Sequence, residues 1–424
     1  MPRLDASDEV LSYRESAPGG LSIAYLSTYP PRECGLATYC EDLLTATLTV
    51  PTVGEPMVFA MEDHAGHYDY PWPVVGTVED HEESEYEAAA QFINESPADI
   101  VSIQHEFGIY GGPQGHGLCR FLEDLTKPVV TTLHTVLPSP SPSQRAMIRE
   151  LARRSDRLVV FNGLANDILQ SEYRLDRKQI ALVHHGAPAP ATESRQKLKQ
   201  RLGLAGRRVL STFGLVSRGK GLEYAIAALP AIQKAHPDVC YVIVGETHPG
   251  VQRTEKETYR EELARLVKQN GLEDSVTFIN RYLTKPEIVS YLGATDVYLT
   301  PYLNPHQVSS GTLAYAMAAG RAIVSSSYLY AQFLMRDGRG ILVDFASSAA
   351  IADSANSILS SPALQREIEC RCRLYGKRML WPTVGARYVS VFGDVLRERQ
   401  GYGPEAAYAP APAEYEYIAP RGTP

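Results

Sequence analysis

The segment with the clearest chemical potential runs from residue 296 to 327, DVYLTPYLNPHQVSSGTLAYAMAAGRAIVSSS. It opens with a short β-branched and aromatic run that predicts a buried strand. Two small hydroxyl residues and a glycine, Ser310, Gly311 and Thr312, then lead into an Ala-rich helix. The first N–H groups of a helix have no partner within it and lie at the positive end of its dipole. The turn is therefore suited to bind a phosphate group.

A second pattern suited to phosphate follows the predicted strand 209–213, in the loop GLVSRGKGLE. Its cations, Arg218 and Lys220, stand among glycines, which let the backbone approach phosphate oxygens while the side chains supply charge. Taken alone, this loop is explained equally well as a solvated basic turn. The phosphate interpretation gains support because the SSGT turn offers a second anion site at the same edge of the predicted sheet.

Polar residues also follow the strands predicted in the first half of the chain. His105 and Glu106 follow strand 100–104, and His134 follows strand 129–133. Ligands of open α/β sheets bind at the carboxyl ends of the strands, so we expect at least one of these histidines to bind a ligand. Glu106 is the best carboxylate candidate on this face, with an ordinary surface glutamate as the simpler alternative.

Three further positions leave two explanations open. Gly35 opens a helix after the first predicted strand, where it could form another anion site or simply a tight turn. His184 and His185 lie at the junction of the two halves, where a hinge and a ligand contact explain them equally well.

Strands alternate with helices throughout, which predicts parallel, doubly wound sheets of the α/β class. The strands are predicted at 21–26, 56–60, 100–104, 129–133 and 158–161, and then at 209–213, 241–244, 276–279, 297–300 and 322–325. The segment HHGAPAPATESRQ interrupts this alternation and indicates a linker, so two Rossmann-like halves stand in tandem and would face each other across a cleft. The predicted divisions are a disordered N-terminus at 1–20, a first domain at 21–186, a second domain at 187–380, a C-terminal helix at 381–399 that could cross back to the first domain, and a disordered Pro/Ala/Tyr-rich tail at 400–424.

Composition limits the classes to which the protein can belong. Its 424 residues, 44% hydrophobic and 21% charged, indicate a globular chain with more than one core, and the net charge of −8 argues against a nucleic-acid partner. No apolar run approaches the ~20 residues of a membrane span, and the first residues lack the pattern of a secretion signal, so we expect a cytoplasmic protein. The cysteines, at 34, 40, 119, 240, 370 and 372, form no Cys-x-x-Cys pair and are expected to be free thiols.

Two charged runs have a simple explanation and a functional one. The acidic run EDHEESEYE is better explained as an exposed helix start than as a metal site, and we expect no metal because no Asp-x-Asp or His/Asp cluster has ligand spacing. In SQRAMIRELARRSDR, the residues Arg145, Arg149 and Arg153 share one helix face, next to Arg154 and Arg157. A solvated face is the simpler explanation. A peripheral contact with anionic lipid at the inner membrane face, or with a charged acceptor, is the alternative.

Taken in order, these motifs resemble those of retaining glycosyltransferases of the GT-B fold, and of glycosyltransferase family 4 (glycosyl transferases group 1) in particular. The resemblance covers roughly residues 21–396. It rests on the Gly35 loop, TTLHT around His134, VHHGAP at the linker, FGLVSRGKG, YVIVGE, VTFINRYL and the segment 296–327. Each motif is weak alone, but their order and spacing together are fairly specific.

The resemblance implies a role for each motif. In the first, acceptor-side domain, Gly35 should contact the diphosphate or the sugar, and His134 should hydrogen-bond the transferred sugar. In the second, nucleotide-sugar-binding domain, Lys220 should hold the phosphates, and the loop from Arg281 to Leu283 should accept the base through its backbone. The backbone amides from Ser310 to Thr312 should hold the phosphates or the sugar.

The sequence departs from the family pattern at three positions. The family usually has an arginine directly after the first glycine of the phosphate loop, whereas this chain has Leu215, with Arg218 nearby as a substitute. The family also has two glutamates, the first on the sugar hydroxyls and the second on the ribose, where this chain has Gln307 and Tyr315. Gln307 can still make neutral hydrogen bonds to hydroxyls. Tyr315 could stack on the ribose or base, or pack in the core.

The resemblance implies transfer of a hexose from a nucleotide-diphosphate sugar, of the GDP-mannose or UDP-glucose type, to a hydroxyl acceptor with retention. The acceptor would be a glycan, a lipid-linked sugar or a small molecule. No metal or other cofactor is expected, because Lys220, Arg218 and the helix N-terminus would neutralise the leaving diphosphate. The departures leave two alternatives: a phosphorylase that uses a sugar 1-phosphate, and a GT-B protein that binds a nucleotide or glycan without turnover.

Overall fold

The computed structural model describes residues 20–63 and 68–402, which fold into two α/β domains, each built on a parallel sheet. The disorder predicted for the two ends concerns residues 1–19 and 403–424, which lie outside the described ranges. Gly20 and the residues 400–402 are described.

The first domain is built on a seven-stranded parallel sheet in the order β3-β2-β1-β4-β5-β6-β7. Its strands are β1 (Ile23–Ser27), β2 (Met57–Glu62), β3 (Val74–Glu79), β4 (Ile100–His105), β5 (Val129–Leu133), β6 (Arg157–Val160) and β7 (Ile180–Leu182). Its helices are α1 (Gly35–Leu48), α2 (Glu83–Glu95), α3 (Gly117–Asp124), α4 (Pro142–Arg154) and α5 (Gly163–Ser171). The strands β1, β2, β4 and β5 are buried along their whole length, as expected for a sheet covered by helices on both faces.

The second domain repeats this plan on a six-stranded parallel sheet in the order β10-β9-β8-β11-β12-β13. Its strands are β8 (Arg208–Phe213), β9 (Val239–Val244), β10 (Val276–Ile279), β11 (Val297–Thr300), β12 (Ala322–Ser326) and β13 (Ile341–Val343). Its helices are α6 (Arg195–Arg201), α7 (Leu222–Ala235), α8 (Pro249–Glu255), α9 (Thr258–Gln269), α10 (Lys285–Ala294), α11 (Gly311–Ala318), α12 (Leu329–Leu334), α13 (Ser348–Ser360) and α14 (Pro362–Gly376).

The last helix, α15 (Trp381–Arg399), packs against the first domain although it follows the second in the chain. Cys372 of α14 is buried in the core of the second domain, whereas Phe392 of α15 is buried with the residues of β1 and α1. The hydroxyl of Tyr388 lies 3.0 Å from that of Tyr39 and 2.9 Å from that of Thr132. The helix therefore connects the two domains beside the cleft between them.

All of the strands predicted from the sequence are present, with ends shifted by two residues at most. The strands β3, β7 and β13 were not predicted. β3 contains Gly76 and leaves part of its residues exposed at the sheet edge, and β7 and β13 are three residues long and poorly buried. The helices α5, α6, α8, α12 and α13 were also missed, because most are short and α13 contains four serines. α6 begins within the segment interpreted as a linker.

Two expectations from composition can be compared with the structure. The cysteines at 34, 40, 119, 240, 370 and 372 are free thiols, as predicted. Within the described ranges, no helix has both the length and the apolar character that crossing a bilayer requires.

Candidate active site

A cavity of about 400 Å³ lies between the carboxyl ends of the strands of the two sheets. Parallel strands place the residues that follow them at one edge, so the topology brings together side chains that are far apart in the chain. The predicted site residues line this cavity with the exception of Arg218 and Arg281. The residues that line it are Gly35, Glu106, His134, Lys220, Leu283, Gln307, Ser310, Gly311, Thr312 and Tyr315.

The anion site predicted at the start of α11 faces the cavity. Ser310 caps the helix, with its hydroxyl accepting a hydrogen bond from the Leu313 amide at 3.3 Å. The amides of Gly311 and Thr312 lie in the first turn, where N–H groups have no partner within the helix. A Cβ at position 311 would lie 3.2 Å from Nε2 of His185, so the glycine lets this imidazole approach the helix terminus closely. The arrangement can hold an anionic group.

Lys220 is fixed next to this helix terminus. Its ammonium donates to the hydroxyl of Tyr302 at 2.8 Å and lies 4.1 Å from the centre of that ring. The hydroxyl of Tyr302 is in turn 2.6 Å from that of Thr312. Gly214 lies against this group with φ of +117°, and a Cβ there would come within 3.0 Å of the Thr312 methyl group. The loop after β8 and the start of α11 thus form one cationic site.

The first-domain face of the cavity carries His134, which is buried and neutral. Its Nε2 lies 3.0 Å from Oε1 of Gln104, and the Gln104 amide nitrogen donates to Ser102. Because that oxygen can only accept, Nε2 carries the proton and Nδ1 is left as an acceptor. Burial lowers the pKa of His134 well below its ordinary value, with further contributions from His185 and His105.

Glu106 stands beside His134 in a fixed geometry. One carboxylate oxygen accepts from the hydroxyl of Thr135 at 2.7 Å, and the other accepts from the Phe107 amide at 3.0 Å. Burial raises the pKa of Glu106, and these two hydrogen bonds oppose the rise. Glu106 lines the cavity, which favours a role at this site over an ordinary surface glutamate.

Several aromatic residues of the cavity wall were not predicted. They are Tyr39, Phe213 and Trp381, whereas Tyr282, which also lines the cavity, belongs to the predicted loop 281–283. The rings of His134 and His185 both contact the ring of Tyr39, at centroid distances of 4.7 and 5.0 Å. His185, for which a hinge and a ligand contact were equally good explanations, lines the cavity; burial lowers its pKa to about 4. Tyr39 follows Gly35 by one helical turn, a spacing that could have indicated it, whereas Trp381 has no local sequence signal.

The structure corrects the expectation for Arg218. Its guanidinium group is exposed and pairs with Glu255 and Glu262 at 3.0 and 2.6 Å, away from the cavity lining. Arg218 therefore does not take the place of the arginine missing at Leu215, which does line the cavity. The side chain of Arg281 is also exposed, and pairs with Glu287. Its expected role concerned the backbone and stays a prediction.

The two positions without the family's glutamates both face the cavity. The amide nitrogen of Gln307 donates to the Ser309 carbonyl at 2.8 Å, which leaves its amide oxygen and its second N–H available to a ligand. Tyr315 is 9% exposed, and its ring packs near Phe213. Its hydroxyl donates to Asp42 of α1 at 3.3 Å. Tyr315 thus packs in the core, as one explanation had it, and also lines the cavity, as stacking on the ribose or base requires.

Neither the acidic run nor the arginine-rich run lines the cavity. In the described part of the chain, one group of His and acidic side chains comes within metal-ligand distance, Glu79, His81 and Glu82, and none of the three lines the cavity. This group lies in the run interpreted as a helix start, and α2 does begin there, at Glu83. The arginines of α4 and β6 are bound to groups of the protein: Arg149 donates to a backbone carbonyl, Arg153 and Arg154 pair with Glu150, and Arg145 and Arg157 bond to the carbonyls of Glu172 and Lys178.

Comparison with known proteins agrees with the geometry. Residues 207–361 match the family described as "Glycosyl transferases group 1". The chain is 27% identical over 203 residues to spore coat protein SA of Bacillus subtilis, and this match covers 47% of this chain and 52% of that protein. It is 25% identical over 281 residues to a GDP-mannose-dependent alpha-(1-6)-phosphatidylinositol monomannoside mannosyltransferase of Mycolicibacterium smegmatis, covering 63% and 70%. The chain thus spans about half to two thirds of the length of the curated relatives it matches.

Among solved structures, HepE of Anabaena in complex with UDP-glucose superposes with a TM-score of 0.69 at 18% identity, covering 88% of this chain and 99% of that one. At this identity the likeness shows the fold, which is GT-B: two parallel-sheet domains whose strand ends face a common cavity. The match to the group 1 glycosyltransferase family covers residues 207–361, which lie in the second domain of this GT-B fold.

Proposed function

We propose that this protein transfers a hexose from a nucleotide-diphosphate sugar to a hydroxyl acceptor, with retention and without a metal. The observation that carries the proposal is the composition of the cavity. A cationic site made by Lys220 and the start of α11 belongs to one domain, while the neutral His134 and the fixed Glu106 belong to the other. A diphosphate suits the first group, and the hydroxyls of a sugar and its acceptor suit the second.

The diphosphate would be held by Lys220, the amides of Gly311 and Thr312, and the backbone next to Gly214. Among the described residues that line the cavity, Lys220 is the one Lys or Arg, so the helix terminus must contribute much of the favourable potential. The base and ribose would lie against Tyr282, Leu283 and Tyr315. The names of the relatives support a donor of the GDP-mannose or UDP-glucose type, since one is a GDP-mannose-dependent enzyme and HepE was solved with UDP-glucose.

In the reaction, the bond between the sugar C1 and the diphosphate oxygen breaks, and a bond from C1 to the acceptor oxygen forms on the same face. The acceptor proton passes to an oxygen of the leaving diphosphate. The positive charge that develops on the sugar ring needs orientation and charge stabilisation rather than a covalent nucleophile. His134 and Gln307 would accept hydrogen bonds from sugar hydroxyls, through Nδ1 and the amide oxygen respectively.

Two observations support the proposed cellular location of the protein. The free thiols suit a reducing compartment such as the cytoplasm. The arginine groups of α4 are already bound to carbonyls and carboxylates of the protein, so a peripheral contact with anionic lipid through this face has less support than the sequence suggested. The acceptor is proposed as a glycan, lipid-linked or small-molecule hydroxyl.

The test is a transfer assay with UDP-, GDP- and ADP-sugars against a panel of sugar and lipid-linked acceptors, in buffer with EDTA. We expect one nucleoside diphosphate to be released, with a product whose anomeric configuration, read by proton NMR, matches that of the donor. Release of a sugar 1-phosphate from a glycan by inorganic phosphate would instead show a phosphorylase. Binding of a nucleotide with neither transfer nor hydrolysis would show a protein without turnover.

A further inference from the structure

One face of α1 makes polar contacts across the cleft. Thr38 and Asp42 are one helical turn apart and point to the same side. The hydroxyl of Thr38 lies 2.9 Å from that of Tyr282, and the carboxylate of Asp42 lies 2.6 Å from the ammonium of Lys285. The other oxygen of Asp42 accepts from the hydroxyl of Tyr315 at 3.3 Å. Both partners of Asp42 therefore come from the second domain.

Asp42 is buried, with 7% of its surface exposed, so this contact differs from an ordinary surface pair. Burial raises the pKa of its carboxyl, and the Lys285 ammonium opposes that rise. A buried carboxylate is stable only when its oxygens are paired, because its desolvation is costly. The buried carboxylate of Asp42 is consequently stable only while the second domain lies close to α1. The same contacts with Lys285 and Tyr315 hold the second domain in that position.

The partners of Asp42 belong to the wall of the cavity or adjoin it. Tyr315, Tyr282 and Leu283 line the cavity, and Lys285 follows Leu283 by two residues at the start of α10. Because the hydroxyl of Tyr315 is directed at Asp42, the orientation of its ring depends on that carboxylate. Lys285 likewise ties the loop that carries Tyr282 and Leu283 to α1.

We propose that Asp42 is a positioning residue for donor binding: from the acceptor-side domain, it holds Tyr315 and the loop 282–285 in the geometry that receives the nucleoside. This inference rests on the proposed function and deepens it. It predicts that the affinity for the nucleoside diphosphate depends on Asp42, a first-domain residue outside the proposed phosphate site.

Glu41 provides a matched control for Asp42. Its carboxylate is also 2.6 Å from the Lys285 ammonium, but it is 37% exposed and has no contact with Tyr315 among those the structure describes. Glu41→Gln and Asp42→Asn each remove one negative charge beside the same lysine. Only Asp42→Asn disturbs the tyrosine, since Lys285 and Tyr315 contact different oxygens of the Asp42 carboxylate and an amide has an oxygen at only one of those two positions.

The experiment measures binding of UDP, GDP and ADP by calorimetry to the wild type, Asp42→Asn, Glu41→Gln, Tyr315→Phe and the double variant Asp42→Asn/Tyr315→Phe. For the nucleotide that the wild type binds, Asp42→Asn should weaken affinity about tenfold or more, since a hydrogen bond to a charged group is lost. Glu41→Gln should stay within about twofold. The double variant should bind no more weakly than the weaker of its two parents, since both changes remove one contact.

Thermal unfolding without ligand separates a positioning role from a purely structural one. A purely structural Asp42 would lower the unfolding temperature and leave the affinity of the folded fraction unchanged, which overturns the inference. Equal effects of the Asp42 and Glu41 variants on affinity also overturn it. If Asp42→Asn does not fold, the test is Tyr315→Phe, which removes a single oxygen. Weakened nucleotide binding in that variant supports the inference, and unchanged binding overturns it. A wild type that binds none of the nucleotides overturns the proposed function as well.

Discussion

The first-domain face of the cavity presents side chains that are already hydrogen-bonded within their own domain, whereas the second-domain face presents a cation and the first amides of a helix. On the first face, His134 bonds to Gln104, and Glu106 accepts from Thr135 and the Phe107 amide. On the second face, Lys220 and the start of α11 lie together. One face has an imidazole and a carboxylate held by their own domain, and the other has positive potential.

This difference indicates how a nucleotide sugar would be divided between the domains. A fixed neutral group discriminates hydroxyls by geometry, because its desolvation is already compensated by its own domain. A helix terminus and an ammonium group attract anions with less demand on geometry. The sugar would then lie where the two faces meet, with its leaving group on the cationic side. Substitutions of Lys220, His134 or Leu215 would each change one face and leave the other intact.

The largest effect is expected from Lys220→Ala. Removing the Lys220 ammonium from the second face should weaken nucleoside diphosphate binding by about 100-fold or more, since charge-assisted contacts to phosphate in a partly buried site are strong. Arg218→Ala is the control, because Arg218 pairs with Glu255 and Glu262 outside the cavity, and its affinity should stay within about twofold. Calorimetry that finds unchanged affinity in the Lys220 variant would sink the phosphate assignment.

His134→Ala should separate turnover from binding. The imidazole belongs to the first face and would contact the sugar rather than the phosphates, so we expect the turnover number to fall about 100-fold while nucleoside diphosphate affinity changes less than about threefold. Steady-state kinetics with the identified donor and calorimetry on the same preparation check this. A loss of affinity as large as the loss of turnover would move His134 to the phosphate side.

The buried His105 of the first domain predicts a pH dependence of stability. Burial lowers the pKa of His105 to about 3, against an ordinary value of 6.5. Between these values the unfolded chain binds a proton at this residue and the native state does not, so stability is lost as the pH falls. His105→Phe removes this contribution. Its free energy of unfolding relative to wild type should rise by up to about 1.4 kcal/mol per pH unit on acidification from 6.5 to 4.

Denaturant unfolding of both proteins at several pH values provides the measurement. The comparison of variant and wild type cancels the contributions of other titrating groups, including Asp42 and Glu106, whose raised pKa values act in the opposite direction. A difference between the two proteins that stays constant with pH would show that His105 is protonated to the same extent in both states.

The smallest effect is expected where the second face lacks a charge. Leu215 lines the cavity at the position where the family usually has an arginine. Leu215→Arg should add a second cation beside Lys220 and raise nucleoside diphosphate affinity about fivefold, an effect that should weaken with added salt. Leu215→Gln, of intermediate polarity without charge, is the control. Reduced affinity in the arginine variant alone would indicate that the apolar side chain itself contacts the donor.

The sequence was most informative where a strand end determines position. His134 and Glu106 could be placed because they follow buried apolar strands, and residues that follow parallel strands share one edge of a sheet. Lys220 and the start of α11 could be placed for the same reason. The strand ends β1, β4, β5, β8 and β11 thus account for most of the predicted cavity lining.

The sequence was least informative where a contact depends on the relative placement of the two domains. Asp42 and Tyr315 are 273 positions apart, and neither has a local pattern that predicts their hydrogen bond. Trp381 enters the cavity wall because α15 crosses back to the first domain, a result of tertiary packing. The prediction for Arg218 was wrong because its guanidinium group pairs with Glu255 of α8 and Glu262 of α9, helices that come later in the chain.

Calorimetric titration of the wild-type chain with UDP, GDP and ADP, in buffer with EDTA, tests the central claim most directly. The claim is that Lys220 and the start of α11 hold a nucleoside diphosphate in the cavity between the domains without a metal. The account predicts saturable binding of one of the three with a stoichiometry of one, the same with and without EDTA, and lost in Lys220→Ala. Failure of all three to bind, or binding that requires a divalent cation, would contradict it.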